Sequence, residues 1–152
     1  MTVGILLELV DELAPNQFSW NNKVRWLSEL DGKVLKDLAW LRGLPLEMDG
    51  VWTETEGQEP TLTATEPIYN WRATNATQRA EEQGKELLIQ VPWAADIYLN
   101  YLCMQMDLAN REWEGYELHR DLFYRKYREY YDFRVLELTG GKANGSGRRW
   151  RF

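Results

Sequence analysis

The fold of this chain is decided by residues 91–131, VPWAADIYLNYLCMQMDLANREWEGYELHRDLFYRKYREYY. Apolar residues recur there with the 3.6-residue period of an α-helix, the strongest secondary-structure signal that a single sequence carries. Pro92 suits a first helical turn. The first half predicts an ordinary amphipathic helix, whose apolar stripe consists of Ala94, Ile97, Tyr98, Tyr101, Leu102, Gln105, Leu108 and Ala109. Cys103 and Asp107 fall on the opposite, polar side.

The second half of the stretch has an apolar arc about twice as wide as the 100° stripe of a usual surface helix. Tyr and Trp combine large rigid rings with a polar group, and both are enriched at protein interfaces. Any single ring could instead fill the core of the chain itself. We interpret the face as a whole as an oligomer interface, formed by Trp113, Tyr116, Phe123, Tyr127, Tyr130 and Phe133.

The N-terminal part of the chain predicts two further helices. Residues 3–13 have helical periodicity and are followed by Pro15, and residues 20–42 follow Ser19, which is a suitable N-cap. The buried side of the first helix is expected to hold Leu6, Leu7, Val10 and Leu13. One helical turn is expected at residues 78–83. The predicted fold class is mainly α: a small helical bundle with a protruding acidic loop or β-hairpin and an extended C-terminal tail.

The chain divides into one helical domain, residues 1–138, and a basic tail, residues 139–152. The domain contains an acidic, extended insertion at residues 47–86. Within it, two Thr-rich runs at residues 51–55 and 61–65 are separated by EGQEP, which favours a β-hairpin. An irregular acidic loop fits the composition equally well. The tail, TGGKANGSGRRWRF, is a Gly-rich linker that ends in basic and aromatic residues.

Charge is divided unevenly along the chain. The 152 residues include 18 basic and 24 acidic side chains, a net charge of −6. The tail has four basic residues and no acidic one, so the preceding 138 residues carry a net charge of −10. Such a body repels nucleic acid, whereas the tail can attract phosphate or an acidic protein surface.

The composition, 44% hydrophobic and 28% charged, is typical of a soluble globular protein of one domain. No apolar run approaches the 18 or more residues that a membrane-spanning helix requires. The N-terminal segment MTVGILLELVDELA lacks a basic start, and it predicts a folded helix instead of a signal peptide. We therefore expect no membrane association.

No catalytic, metal or cofactor site is predicted. Cys103 and His119 are the lone cysteine and histidine, which cannot assemble a Cys/His zinc site within one copy. Neither lies near a Gly-rich elbow or an oxyanion motif, and the sequence has no phosphate-loop, dinucleotide-binding or zinc-protease motif. Cys103 is expected to pack as a small apolar side chain. An enzymatic function is not expected.

Three segments in succession carry a family resemblance. They are the short N-terminal helix, NKVRWLSELDGKVLKDL at residues 22–38, and LLIQVPWAADIYLNYLCMQMDLANREWEGYELHRDLFYRKYREYY at residues 87–131. This succession resembles the small head-tail connector, or adaptor, proteins of tailed bacteriophages and prophages. The resemblance covers residues 1 to about 132, and residues 47–86 match least.

The resemblance implies a structural virion protein without catalytic residues or cofactors. It implies a ring of twelve copies at the head-tail junction, between the portal and the tail-side stopper or terminator proteins, assembled from copies made in the host cytoplasm. Double-stranded DNA would pass through the ring without sequence-specific binding. An acidic channel wall would let DNA slide; the candidate lining residues are Glu47, Asp49, Glu54, Glu56 and Glu59. The resemblance also implies that the tail docks on the portal through Arg148, Arg149, Trp150, Arg151 and Phe152.

A second interpretation is a small DNA-binding or regulatory module that uses the basic tail. It predicts an affinity for DNA that falls steeply with salt and is lost when residues 139–152 are removed. Four tail charges opposed by a body of −10 favour only weak binding.

Overall fold

The computed structural model describes residues 1–41, 50–53, 61–64 and 68–138. Within them the chain forms five helices and two short strands, and the prediction of a mainly α bundle is confirmed. The elements are α1 (Val3–Leu13), α2 (Trp20–Leu41), β1 (Gly50–Thr53), β2 (Thr61–Ala64), α3 (Ala76–Gln83), α4 (Ala94–Ala109) and α5 (Trp113–Leu138).

Side-chain caps fix where three of these helices begin. The Thr2 hydroxyl accepts a hydrogen bond from the Ile5 amide at 3.2 Å. Ser19, the predicted cap of α2, accepts one from the Asn22 amide at 3.1 Å. Asn75 caps α3 in the same way, and this cap helps to explain why α3 has eight residues where one turn was expected. Each cap satisfies an amide that the first helical turn leaves unpaired.

The insertion contains a β-hairpin. β1 and β2 pair antiparallel, with Gly50 opposite Ala64 and Thr53 opposite Thr61. Of the two alternatives for this segment, the hairpin is therefore the one observed. The predicted channel-lining residues Glu47, Asp49, Glu54, Glu56 and Glu59 lie outside the described residues, as does the whole tail.

Helix α4 lies at the centre of the bundle, in contact with α1, α2 and α5. It therefore buries more than one stripe, and Cys103, Met104 and Met106 are buried beside the predicted Ile97 and Leu102. The assignment of Cys103 to a polar side is wrong for this reason. Pro92 precedes the helix and does not form its first turn.

Helix α5 folds back antiparallel against α4 and reaches α2 as well. The ring of Phe123 lies 5.2 Å from that of Tyr101 on α4, Tyr130 lies 6.0 Å from Trp93, and the Tyr127 hydroxyl donates to the carboxylate of Asp37 on α2. Because two neighbours cover it, α5 can bury an arc wider than one stripe.

The prediction that Phe123, Tyr127 and Tyr130 form an oligomer interface is therefore wrong. All three are buried inside the chain, and Phe123 is only 2% exposed. The alternative interpretation, core filling, holds for these rings. Tyr116 and Phe133 are half-buried, and the Phe133 ring packs 4.4 Å from that of Trp93. Of the six predicted residues, Trp113 alone is fully on the surface, at 58% exposure.

A buried carboxylate joins the sequence-distant parts of the bundle. Asp31 on α2 is fully buried and accepts hydrogen bonds from the hydroxyls of Tyr69 and Tyr98. The amide of Leu88 donates to it at 3.3 Å, and the Tyr98 hydroxyl accepts from the Ile89 amide at 2.9 Å. Burial raises the pKa of Asp31 to about 6, although these hydrogen bonds oppose the rise.

Candidate interaction groove

The turn between α4 and α5 is built by a left-handed residue. Arg111 has a φ of 59°. Its amide donates to the carbonyl of Leu108 at 3.1 Å, and the amide of Glu112 donates to the carbonyl of Asp107 at 2.8 Å. These two bonds form a Schellman motif, in which glycine is the usual left-handed residue. The motif ends α4 and reverses the chain into α5.

We expect Arg111→Gly to raise the free energy of unfolding by about 0.5–1 kcal/mol, because glycine adopts this φ without the clash that a Cβ causes. Urea unfolding measures the change. Arg111→Ala keeps the Cβ and is the matched control, with little change expected. Lower stability of the glycine variant than of the alanine variant would contradict the assignment.

The first turns of α5 close onto α4 around one carboxylate. Nδ1 of His119 lies 2.7 Å from Oδ2 of Asp107, and both side chains are partly buried. A Cβ added to Gly115 would lie 2.7 Å from the same oxygen, so a larger residue there would displace the carboxylate from this position. His119 and Asp107 thus form a structural link between the two helices, at the edge of an open groove.

This groove has a volume of about 770 Å³ and is bounded by the α1–α2 connection, α4 and the start of α5. Its apolar side chains include Leu13, Phe18, Leu99, Cys103 and Met106. Its polar side chains are Asn16, Gln17, Asn100, Asp107, Asn110, Glu112 and His119. This mixture of apolar side chains with amides and carboxylates suits a peptide segment.

Leu13 lies where the core opens into the groove. It was predicted on the buried side of α1, in series with Leu6 and Val10, but it is 59% exposed because no described residue covers it. The prediction for Leu13 is wrong, whereas those for Leu6, Leu7 and Val10 are confirmed. The apolar stripe of α1 therefore ends at Leu13, which lies at the edge of the open groove.

Cys103 lines the groove as a small apolar side chain, as predicted. It is buried, and burial raises the pKa of its thiol to about 11, so the neutral thiol is the form present at neutral pH. Among the described residues, no group of three or more His, Cys, Asp or Glu side chains is arranged to hold a metal ion. The groove therefore offers contacts for binding, not an activated nucleophile.

Sequence reasoning missed the groove, although one signal for it was present. Leu99, Cys103 and Met106 follow one another at i, i+4 and i+7 and form a second apolar row on α4. This row lies beside Asp107 on the side that was interpreted as polar. It marks the α4 wall of the groove.

Two sets of exposed apolar side chains remain on α5. The first, the aromatic row, consists of Trp113, Tyr124 and Tyr131, which share one direction within about 20° because they are 11 and 18 residues apart. Trp113 is 58% exposed and Tyr124 50%, whereas Tyr131 is half-buried. The second, the leucine patch, consists of exposed Leu118 and Leu136, which share one direction about 140° around the helix axis from Trp113 and lie about 27 Å apart along it.

The remaining predicted site residues, Arg148, Arg149, Trp150, Arg151 and Phe152, lie outside the described part of the chain. Among the helices that the structure describes, none combines the length and apolar character needed to cross a membrane. A comparison of the chain with protein-family models, with curated proteins and with solved structures found no match in any of the three.

Proposed function

We propose that this chain is a structural virion protein, a head-tail connector that forms a ring of twelve copies between the portal and the tail-side stopper or terminator proteins. The proposal rests on the succession of segments that resembles this family. The observation on the molecule that supports it is the pair of exposed apolar surfaces on α5, the aromatic row and the leucine patch.

Two different surfaces are what a ring needs. In a cyclic assembly each copy uses one patch toward the neighbour on one side and a different patch toward the other, so contacts are head-to-tail. The aromatic row and the leucine patch lie about 140° apart around α5. The Trp and Tyr side chains of the aromatic row are of the kind that is enriched at the centre of protein interfaces. In this proposal the aromatic row of one copy contacts the leucine patch of the next.

The charge of the body is compatible with a channel. Residues 1–138 carry a net charge of −10, which disfavours adhesion of DNA to the ring wall. The ring would therefore let double-stranded DNA pass without binding it. In this proposal the protein occupies the neck of the virion after assembly and the host cytoplasm before it, and it performs no catalysis.

We expect Trp113→Glu and Leu118→Glu each to place a carboxylate in the apolar contact and to weaken the binding between neighbouring copies at least tenfold (about 1.4 kcal/mol per contact). Because every contact in the ring is weakened, rings should no longer form on the portal. Neither change should reduce monomer stability. Both side chains are more than half exposed, and a glutamate at residue 113 lies in the first turn of α5, where negative charge is favourable. Native mass spectrometry with the portal protein from the same genome measures the assembly.

A mixture of the two variants provides a sharper test. The Trp113→Glu copy keeps its leucine patch and the Leu118→Glu copy keeps its aromatic row, so the two variants can form one intact contact with each other. We therefore expect pairs in the mixture and no rings. Glu117→Gln, an exposed change on the same helix, is the control and should assemble like the wild type. Full rings from either glutamate variant would contradict the assignment of these surfaces.

A further inference from the structure

The groove leaves room for apolar side chains from outside the described bundle. Leu13 continues the buried row of α1 but is 59% exposed at one edge of the groove. Leu99 and Met106 line the α4 side. Burying exposed aliphatic surface of this kind is favourable. An occupant with large apolar side chains would therefore complete the core.

The polar lining selects the charge of that occupant. Among the described residues that line the groove, Asp107 and Glu112 are acidic and none is Lys or Arg. Asp107 already contacts His119, whereas Glu112 is exposed at the turn. The amides of Asn16, Asn100 and Asn110 add hydrogen-bonding groups suited to a peptide backbone. The lining thus fits a segment that is both apolar and basic.

We propose that the groove binds residues 148–152, RRWRF, of a second copy of this chain. This segment combines two aromatic rings and three arginines in five residues. In this proposal Trp150 and Phe152 supply the apolar side chains that the groove lacks, and the carboxylate of Glu112 attracts the arginines. The tail carries +4 and the body −10, so their charges are complementary.

The length of the chain favours a second copy over the same copy. The groove meets α5 at His119, 19 residues before the helix ends, a distance of about 28 Å along the axis. Residues 139–147 span at most about 30 Å when fully extended, and a Gly-rich run of nine residues has a mean end-to-end distance of about 16 Å. To reach His119 in its own groove, this linker would have to extend to nearly twice that mean distance, whereas the tail of a neighbour is not so constrained.

This inference rests on the proposed function in one respect, because a ring holds neighbouring copies at the high local concentration that favours such a contact. It assigns the tail a partner inside the ring, in place of the portal. Binding to the groove of a neighbour and binding to the portal would both use residues 148–152. Identifying the residues that Trp150 contacts therefore distinguishes the two alternatives.

The test uses the full chain with a photo-crosslinking phenylalanine derivative in place of Trp150. Copies labelled with ¹⁵N are mixed with unlabelled copies and irradiated, with and without portal. We expect cross-linked peptides that join residue 150 of one isotope to groove residues of the other, near Leu13, Leu99 or Met106. Cross-links confined within one copy, directed to the portal, found elsewhere on the body, or absent under both conditions would overturn the proposal.

Leu13→Arg and Ile5→Arg form a matched pair of variants. Both replace an exposed leucine or isoleucine on α1, 59% and 54% exposed, but only Leu13 lines the groove. Leu13→Arg should reduce the yield of groove cross-links about tenfold, by removing apolar area and repelling the arginines, and Ile5→Arg should not. Equal yields from the two variants would overturn the assignment.

The two proposals fail separately. Groove cross-links between copies without any ring on the portal would support the groove contact and overturn the connector function. Rings of normal mass whose grooves are not cross-linked would leave the connector function standing and overturn the groove contact.

Discussion

Asp31→Ala is expected to lower the free energy of unfolding by about 2–4 kcal/mol at pH 7, because it leaves three buried donors without their acceptor. These donors are the hydroxyls of Tyr69 and Tyr98 and the amide of Leu88. Burial, and next the charge of Asp31, raise the pKa values of Tyr69 and Tyr98, so both hydroxyls remain protonated donors at pH 7. The substitution would loosen three parts of the chain that meet at the Asp31 carboxylate. These are α2, the segment with Tyr69 that precedes α3, and α4.

The pH dependence of this loss has a definite sign. The pKa of Asp31 rises from 3.8 to about 6 on folding, so the folded state holds a proton that the unfolded state has released between these values. The contribution of Asp31 to stability is therefore largest at low pH and falls as the pH rises through about 4–6. The difference in free energy of unfolding between the wild type and Asp31→Ala should therefore be about 2 kcal/mol larger at pH 4.5 than at pH 7.

Urea unfolding of dilute protein at the two pH values measures both effects. Asp31→Asn is the control. Asparagine keeps the shape and part of the hydrogen bonding, so the free energy of unfolding should fall by less than in Asp31→Ala. Asparagine also has no carboxyl group that could titrate. The other carboxyl groups affect the stability of the wild type and the variants alike, so their pH dependence largely cancels when the variants are compared with the wild type. A deficit that is independent of pH would contradict the assignment of the raised pKa to Asp31.

Phe123→Ala is expected to lower the free energy of unfolding by about 3–5 kcal/mol, the usual cost of removing a buried aromatic ring from a core. The Phe123 ring is enclosed by those of Tyr101, Tyr124 and Tyr127, with centroids 5.1–5.8 Å away. Its loss leaves a cavity between α4 and α5 that a packed bundle closes only in part. The measurement is urea unfolding at several protein concentrations.

The neighbouring Tyr124→Ala is the matched control for this substitution. Tyr124 lies on the same helix but is 50% exposed, so its removal should cost less than about 1 kcal/mol. Both losses should be independent of protein concentration. A loss for Phe123→Ala that grows with protein concentration would place this ring at an interface between copies, as the sequence had suggested.

The helices could be predicted because their signals are local. Periodicity and the Ser19 cap located α1 and α2 almost to the residue. Two Thr-rich runs indicated the hairpin, although the composition fitted an irregular loop equally well. The number of neighbours around a helix is not a local property. The wide arc of α5 was therefore assigned to other copies, although α4 and α2 within the same chain cover much of it.

The candidate site was harder to predict for the same reason. Leu13 has the periodicity of a core residue, and only the tertiary structure shows that no described residue covers it. The burial of Asp31 likewise depends on Tyr69 and Tyr98, which are distant in sequence and donate hydrogen bonds to it. The second apolar row on α4 was a local signal for one wall of the groove, but the sequence contains no signal for the exposure of Leu13 or for the contact of Asp31 with the two tyrosines.

The mass of the wild-type chain bound to its portal tests the central claim most directly. The portal protein encoded by the same genome is mixed with an excess of this chain, and native mass spectrometry measures the complex. We expect a closed ring of twelve copies on one portal, with free chain remaining smaller. A chain that stays monomeric and does not bind the portal at any ratio would contradict the connector function.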